Sequence, residues 1–447
     1  MAAARRAYDE WRLVPAPARA GILHQAALLL RDRKEDLART MTREMGKVLA
    51  EARAEVQDAI DCGLYMAGEG RRLLGDTAPS EGANRICLTL RMPIGVCAAI
   101  TPWSLPLAIP ARKIFPALLC GNTVVFKPAS EAPASGALLV AALVDAGVPR
   151  GVVNFVTGRG SRVGPPLATH PDMRVVSFTG SPDVGKGLAE QCAKGLKRVS
   201  LELGGKNAQI VMDDADLDLA LEGALWGAFG AAGQRCTATS RLILHRPIAR
   251  RFTDRLVEAA RALRLGNGLE EDVQVGPLVS DAQRQTVARH VEIGRKEGAE
   301  LLCGGKSPAG PGFDRGFFFE PTVFGGVKPS MRLAQEEIFG PVLSILVVDS
   351  FEEAIHVLND TAYGLSSSIY TRDVNRALRA VRDIEAGITA VNGPTTGAEI
   401  HLPFGGVKET GNGHRETSHT ALDVFTEWKS VTIDFGGRHR RAQIDNN

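Results

Sequence analysis

Nowhere in its 447 residues does the chain hold an unbroken apolar run approaching the roughly 18 residues that cross a bilayer. Its opening, "MAAARRAYDEW", lacks the apolar centre of a secretory signal, so a cytoplasmic setting without a membrane partner is expected. Charge of one sign is missing as well. The 53 basic and 51 acidic residues are interspersed and leave a net charge of +2, which argues against nucleic acid as the partner. The seven cysteines, at positions 62, 87, 97, 120, 192, 236 and 303, are odd in number and show no paired spacing. That argues against a disulfide framework or a zinc site and points to free thiols in a reducing compartment, with no metal expected. Internal repeats, low-complexity linkers and charge blocks are also absent, so any domain boundary has to be read from motifs.

What is present is an ordinary globular composition, 44% apolar and 23% charged, with length for two or three domains. The stretch from Trp11 to Val56 reads as long amphipathic helix with no strand before it, which suggests a segment missing upstream. After it, "NRICLTLRMPIG" alternates like a strand or hairpin, and "GVCAAITPW" and "GNTVVFKP" read as short buried strands ending at proline turns. "GALLVAALVDAGVP" fits a helix closed by Gly147 and Pro149. "VVNFVTG", "MRVVSFTGS", "VSLELGG" and "AQIVMDDA" follow as strand-length apolar runs, each leading into glycine or a helix start. Strands alternating with helices predict a doubly wound, mainly parallel α/β sheet. Further helices and strands beyond Cys236, such as "DAQRQTVARHVEIGRKEGA" and "PVLSILVV", predict a second α/β unit.

Two glycine clusters compete for a nucleotide role. In "VTGRGSRVG" the glycines at 158, 160 and 164 miss the dinucleotide fingerprint because the third falls one residue late, so a turn is the simpler reading. In "SFTGSPDVGKG", Gly180 and Ser181 follow a strand and precede helix-forming sequence from about Asp183, where backbone N–H groups could face a phosphate. In isolation it could equally be a β-to-α turn.

"TPWSLP", "GNTVVFKPAS", "FTGS", "LELGGKN", "GQRC", "EEIFGP" and "PFGGVKETGNG" occur in this order along the chain. Together they resemble the NAD(P)-dependent aldehyde dehydrogenase superfamily, and the interval from Glu202 to Cys236 matches that family's spacing of general base and nucleophile. The resemblance implies an aldehyde dehydrogenase-like α/β fold: a Rossmann-type cofactor domain over 1–74 and 94–205, and a catalytic domain over 206–420. It also implies a small β oligomerisation flap over 75–93 and 426–436, a polar tail over 437–447, and a homodimer or homotetramer. Relative to family members, about 30 to 45 residues are expected to be absent at the front.

The implied chemistry explains why one thiol stands in "FGAAGQRCTATSR". An aldehyde gives up hydride only once its planar carbonyl has become a tetrahedral adduct; a thiolate forms that adduct and later leaves a thioester. Cys236 matches the nucleophile. A free thiol with pKa ~8.5 is only slightly ionised at neutral pH, so a cationic or N–H-rich setting is expected, with Arg235 and the nicotinamide ring contributing. Glu202 matches the base that activates water against the thioester, and Lys113 and Glu416 match a proton path to solvent. Ser104 stands where most relatives place an asparagine whose amide holds the oxyanion together with the cysteine N–H. Loss of one such donor costs ~10²–10³-fold in rate, so a weakened or water-assisted oxyanion hole is expected.

For the cofactor, NADP or NAD, the resemblance assigns Lys127 and Ser130 to the adenosine ribose, puts Gly160 near the adenine and counts Thr101 among the cofactor contacts. Serine at 130 does not repel a 2′-phosphate as glutamate would, so NADP should be accepted. Trp103, Gly180, Ser181, Leu203 and Gly204 complete the expected contacts, with Glu337 and Phe339 holding the nicotinamide ribose and ring. For the substrate, Arg112 and Arg235 could clamp a carboxylate bidentately, which points to an aldehyde acid such as 2-oxoglutarate or aminoadipate semialdehyde. Phe404 would border the same tunnel. Rival readings are a coenzyme A-acylating enzyme, disfavoured by Glu202, and a non-catalytic scaffold, disfavoured by Cys236 with Glu202.

Overall fold

The computed structural model describes residues 1–437, so the polar tail expected over 437–447 lies, apart from its first residue, outside the described residues. Among the described residues the strands form sheets of five, seven, three and two members. The five-stranded sheet runs Val153–Phe155, Thr123–Lys127, Val96–Ile100, Met173–Thr179, Arg198–Glu202, all parallel. In chain order this is 3-2-1-4-5, so the sheet winds one way from Val96–Ile100 and then the other. Helices cover it as expected for a doubly wound sheet, and Val96–Ile100 is buried along its whole length. Val96–Ile100 and Met173–Thr179 are paired up to their carboxyl ends, and the connections that leave those ends diverge at the reversal of strand order, which is where open α/β sheets leave a crevice.

The seven-stranded sheet has Arg241–His245 and Ala208–Val211 near its centre and is parallel, except that Glu300–Cys303 runs antiparallel to Thr322–Gly325 at one edge. Ala208–Val211 is buried throughout and Arg241–His245 up to its last residue, and the run Leu242–Leu244 is apolar without alternation because both faces of the sheet are covered. Arg85–Pro93 pairs antiparallel with Thr426–Asp434 over nine residues, with Thr77–Ala78 on the outer side of Arg85–Pro93.

The single long amphipathic helix expected at the front is corrected to four helices: Ala2–Trp11, Ala16–Asp32, Lys34–Met45 and Leu49–Glu69. Pro15 caps the second, and its fixed φ with no N–H to donate cannot continue the first. Gly46 ends the third in a left-handed conformation at φ +88°. Apolar periodicity survives across these breaks because all four helices face one core, and Trp11, Leu23, Leu30, Met41 and Val56 are buried there together. No helix among the described residues is long and apolar enough to cross a membrane.

Candidate active site

A cleft of about 250 Å³ opens at the reversal point of the five-stranded sheet. Its wall brings together nine of the residues singled out in the sequence: Trp103 and Ser104 after the first strand, and Gly180 and Ser181 after the fourth. Leu203 and Gly204 follow the fifth, and Cys236, Glu337 and Phe339 come from the second sheet's side. Pro102, Ile109, Thr179 and Gln283 complete the wall. Glu202 ends its strand one residue before Leu203, and its carbonyl accepts from Gly180 N–H at 3.1 Å.

Cys236 follows a turn that local propensity would not choose. Ala231 and Ala232 hold left-handed φ of 51° and 53°, and Gly233 follows at +69°. A Cβ on Gly233 would lie 2.2 Å from the carbonyl oxygen of Gly340, so only glycine admits that close approach. Beyond the thiol, Asn207 Nδ2 donates to the Cys236 carbonyl at 2.7 Å and to that of Ala238 at 2.9 Å, while its Oδ1 accepts from Ser366 N–H. Asn207 was not singled out in the sequence, although it closes the "LELGGKN" motif.

The electrostatics of the thiol correct one expectation. Burial first, and the neighbouring Glu337 carboxyl second, push Cys236 up to about 12, with Arg112 the largest opposing charge. Arg235 plays no such part. Its guanidinium turns away to stack on Trp226, 4.6 Å from the ring centroid, and to reach Glu51 Oε1 at 3.4 Å. Adjacency in sequence placed the charge one residue from the sulfur, but its side chain points elsewhere.

Glu202 is buried, and neither carboxyl oxygen has a hydrogen-bond partner. Burial, then the charge of Glu416, hold its carboxyl well above the usual range, against Lys113 and Arg415. The cradle is tight: a Cβ on Gly405, at φ +151°, would lie 2.6 Å from Glu202 Oε1. Nearby, Lys113 Nζ is ion-paired with Glu416 Oε1 and donates to Ser177 Oγ at 2.9 Å, and Thr179 Oγ1 donates to the same Glu416 oxygen at 3.4 Å. Phe404 exchanges backbone hydrogen bonds with Glu416 at 2.7 Å in both directions, so Phe404 and Glu416 sit on one bridge.

Whether a nicotinamide dinucleotide fits can be asked of the cleft. Glu337 Oε1 accepts from Gly205 N–H at 3.0 Å, and a Cβ on Gly204 would lie 2.3 Å from Glu337 Oε2, so the carboxylate lies on bare backbone. Burial raises it to about 7. Trp103 and Phe339 meet edge to face at 5.3 Å, a wall suited to a flat ring. At the far end, Thr101 N–H donates to the Lys127 carbonyl and Ser130 Oγ to that of Gly158, while Gly160 opens the helix Gly160–Thr169. Thr101 Oγ1 is buried and unpartnered. Burial lowers Lys127 below the ordinary lysine range. The helix Pro182–Ala193 begins at Ser181, with no side chain capping its first N–H groups. These residues fit the group.

The two arginines stand off the cleft wall. Arg112 is buried, paired with Asp58 and held 5.1 Å from the Phe404 ring centroid. In both Arg112 and Arg235, Nε has no partner. All seven cysteines are unpaired, and no group of three or more His, Cys, Asp or Glu among the described residues could hold a metal ion.

Similarity to known proteins agrees with the geometry. The model of the "Aldehyde dehydrogenase family" matches residues 1–431. The chain belongs to the aldehyde dehydrogenase family. It is 42% identical to the alpha-ketoglutaric semialdehyde dehydrogenase of Bacillus subtilis (strain 168) over 431 residues, covering 96% of this chain and 88% of that one. It is 41% identical to the NADP(+) succinate-semialdehyde dehydrogenase of Escherichia coli (strain K12) over 432 residues, with 96% and 88% covered. The crystal structure of betaine aldehyde dehydrogenase from Staphylococcus aureus in complex with NAD+ superposes with a TM-score of 0.96 at 33% identity, covering 98% of this chain and 87% of that one. The aldehyde dehydrogenase-like α/β fold expected from the sequence is the fold observed.

Proposed function

We propose that this aldehyde dehydrogenase oxidises an aldehyde acid, 2-oxoglutarate semialdehyde or a close analogue, to the dicarboxylic acid with NADP or NAD, through a cysteine thiohemiacetal and thioester. The observation that carries the reading is one cleft uniting a half-buried thiol, a glutamate lying on bare glycine backbone and an aromatic wall, with an unpartnered buried carboxyl directly behind it. The bound dinucleotide supplies the hydride acceptor.

The chain's own residues do the rest. Cys236 Sγ adds to the carbonyl carbon, and the Ser104 hydroxyl and Cys236 N–H stabilise the oxyanion. Glu202 is the one carboxyl here with both oxygens free, so it can take a proton from the thiol and later from water attacking the thioester. The Lys113–Glu416 pair, with Thr179 Oγ1, offers that proton a way out. Glu337 and Phe339 orient the nicotinamide half, and Thr101, Lys127, Ser130 and Gly160 the adenosine half. In this reading 1–74 and 94–205 bind the cofactor and 206–420 carry the catalysis, a division supported by the two separate parallel sheets.

Recognition of a substrate carboxylate by Arg235 or Arg112 requires the guanidinium to swing into the cleft, Arg235 from Trp226 and Glu51 and Arg112 from Asp58. The nine-residue pairing of Arg85–Pro93 with Thr426–Asp434 supports a flap for a homodimer or homotetramer. An absorbance assay of NADH and NADPH formation tests the reading, with 2-oxoglutarate semialdehyde, succinate semialdehyde and hexanal as substrates. The expected result is turnover with the semialdehyde acids and either cofactor, abolished in Cys236→Ala. No aldehyde-dependent signal, or an active alanine variant, overturns it.

A further inference from the structure

The helix Leu49–Glu69 presents two buried glutamates one turn apart that the mechanism above does not use. Glu51 Oε1 accepts from Ala231 N–H at 2.7 Å. That N–H belongs to the left-handed turn ahead of Cys236, a conformation that side-chain-bearing residues hold only when their surroundings enforce it. The same oxygen faces Arg235, the residue next to the nucleophile.

Glu55 acts on the opposite wall. Its Oε1 accepts from Leu107 N–H at 2.9 Å and Ala108 N–H at 3.2 Å, at the start of the helix Ala108–Leu119. Its Oε2 is paired with Lys47 Nζ, and that ammonium also donates to the Ser104 carbonyl at 2.8 Å. Glu55 and Lys47 therefore grip the loop at its two ends, Ser104 and Leu107. Residues 51 and 55 lie on one face of a rigid helix, a single turn apart. One piece of secondary structure thus spans from the turn ahead of the thiol to the loop bearing Ser104.

We propose that Glu51 and Glu55, with Lys47, are positioning residues: the helix Leu49–Glu69 sets the separation between the Ser104 hydroxyl and the Cys236 N–H, the two donors that hold the oxyanion. This deepens the aldehyde-oxidising reading and rests on it. None of the three residues lines the cleft, and each acts through backbone. Preorganised donors lose their effect when displaced by about 1 Å, so the device needs a stiff support.

Glu51→Ala removes the acceptor for Ala231 and should lower kcat about 10²-fold, the scale of one lost oxyanion donor, while KM for the cofactor moves less than about threefold. Glu51→Gln can still accept from Ala231 and should recover to within about fivefold of wild type. Should Glu51→Ala fail to fold, Glu51→Asp, with a shorter reach, serves in its place with a loss of about tenfold. Glu55→Gln and Ser104→Ala each lower kcat, but together they should lose no more than about threefold beyond Ser104→Ala alone, because both act through one donor. Losses that multiply overturn the proposal, as does an unchanged kcat in Glu51→Ala.

A second readout needs no turnover. The rate at which iodoacetamide alkylates Cys236 should change at least about fivefold in Glu51→Ala, with the melting temperature within a few degrees of wild type. An unchanged rate overturns the proposal. A changed rate in a protein that oxidises no aldehyde would sink the proposed function and leave the hold of Glu51 on Cys236 standing.

Discussion

Glu337 and Cys236 share one cleft, and the structure makes the carboxyl the second cause, after burial, of the thiol's resistance to ionisation. The perturbation is Glu337→Gln, which keeps the shape and removes the charge. A thiol moved from 9.0 to about 12 is opposed by about 4 kcal/mol against forming thiolate. Burial is the largest cause and Glu337 the second; taking the Glu337 charge as worth about 2 kcal/mol gives up to ~30-fold in thiolate fraction. Glu337 is itself raised to about 7, so its charge is present only above that pH. The variant should therefore alkylate at Cys236 several-fold to ~30-fold faster than wild type at pH 8.5, and at the same rate at pH 6. Iodoacetamide labelling at a series of pH values, read by mass spectrometry of the Cys236 peptide, measures both arms. Stability supplies a check of the same sign. A carboxyl raised in the folded state binds its proton more tightly there than when unfolded, so the stability it contributes is full below about 4.5 and is lost as pH rises through about 7. Glu337→Gln should flatten that part of the melting profile. Equal alkylation rates at pH 8.5, or an equal gain at pH 6, would refute the electrostatic account.

Ser104→Asn should raise kcat by about tenfold or more by restoring a longer amide arm to the oxyanion, and an unchanged or lower kcat counts against a weakened hole. Lys113→Met leaves the buried Glu416 without its partner and should cost about 3–5 kcal/mol, read as a fall in denaturant midpoint at constant slope; a midpoint within error of wild type contradicts the buried pair. Arg235→Ala should raise KM for semialdehyde acids about tenfold more than for hexanal, and equal shifts reject a carboxylate clamp at that residue. Ser130→Glu should lower the NADP-to-NAD ratio of kcat/KM by at least about tenfold, through repulsion of the 2′-phosphate; an unchanged ratio places cofactor choice elsewhere.

Much of the site is legible in the chain because its parts sit where local rules put them. Gly180 and Ser181 lie at a strand-to-helix junction, Glu202 at a strand end, and Ser104 just past the first strand, positions that apolar period and turn residues mark out. What escapes such reading is where long side chains aim. Arg235 stands next to Cys236 in sequence, yet Trp226 and Glu51 draw it away. Arg112 spends one arm of its guanidinium on Asp58. Glu51 and Glu55 read as ordinary polar positions of an amphipathic helix, and nothing local says that they are buried and reach backbone N–H groups as far as 180 residues away. The broken helix at the front escaped for a related reason, since one apolar face persists through four helices that share a core.

Composition, motif order and the Glu202-to-Cys236 interval were enough for family and fold class and to single out Cys236 as the candidate nucleophile, because strand period, glycine turns and motif spacing are properties of neighbouring residues. Protonation was decided by the fold. A thiol pushed up to about 12 and a Glu202 carboxyl held well above its usual range are consequences of which groups lie within a few ångströms once the chain is folded, and partners such as Lys113 and Glu416, 303 residues apart, meet only once the chain has closed on itself.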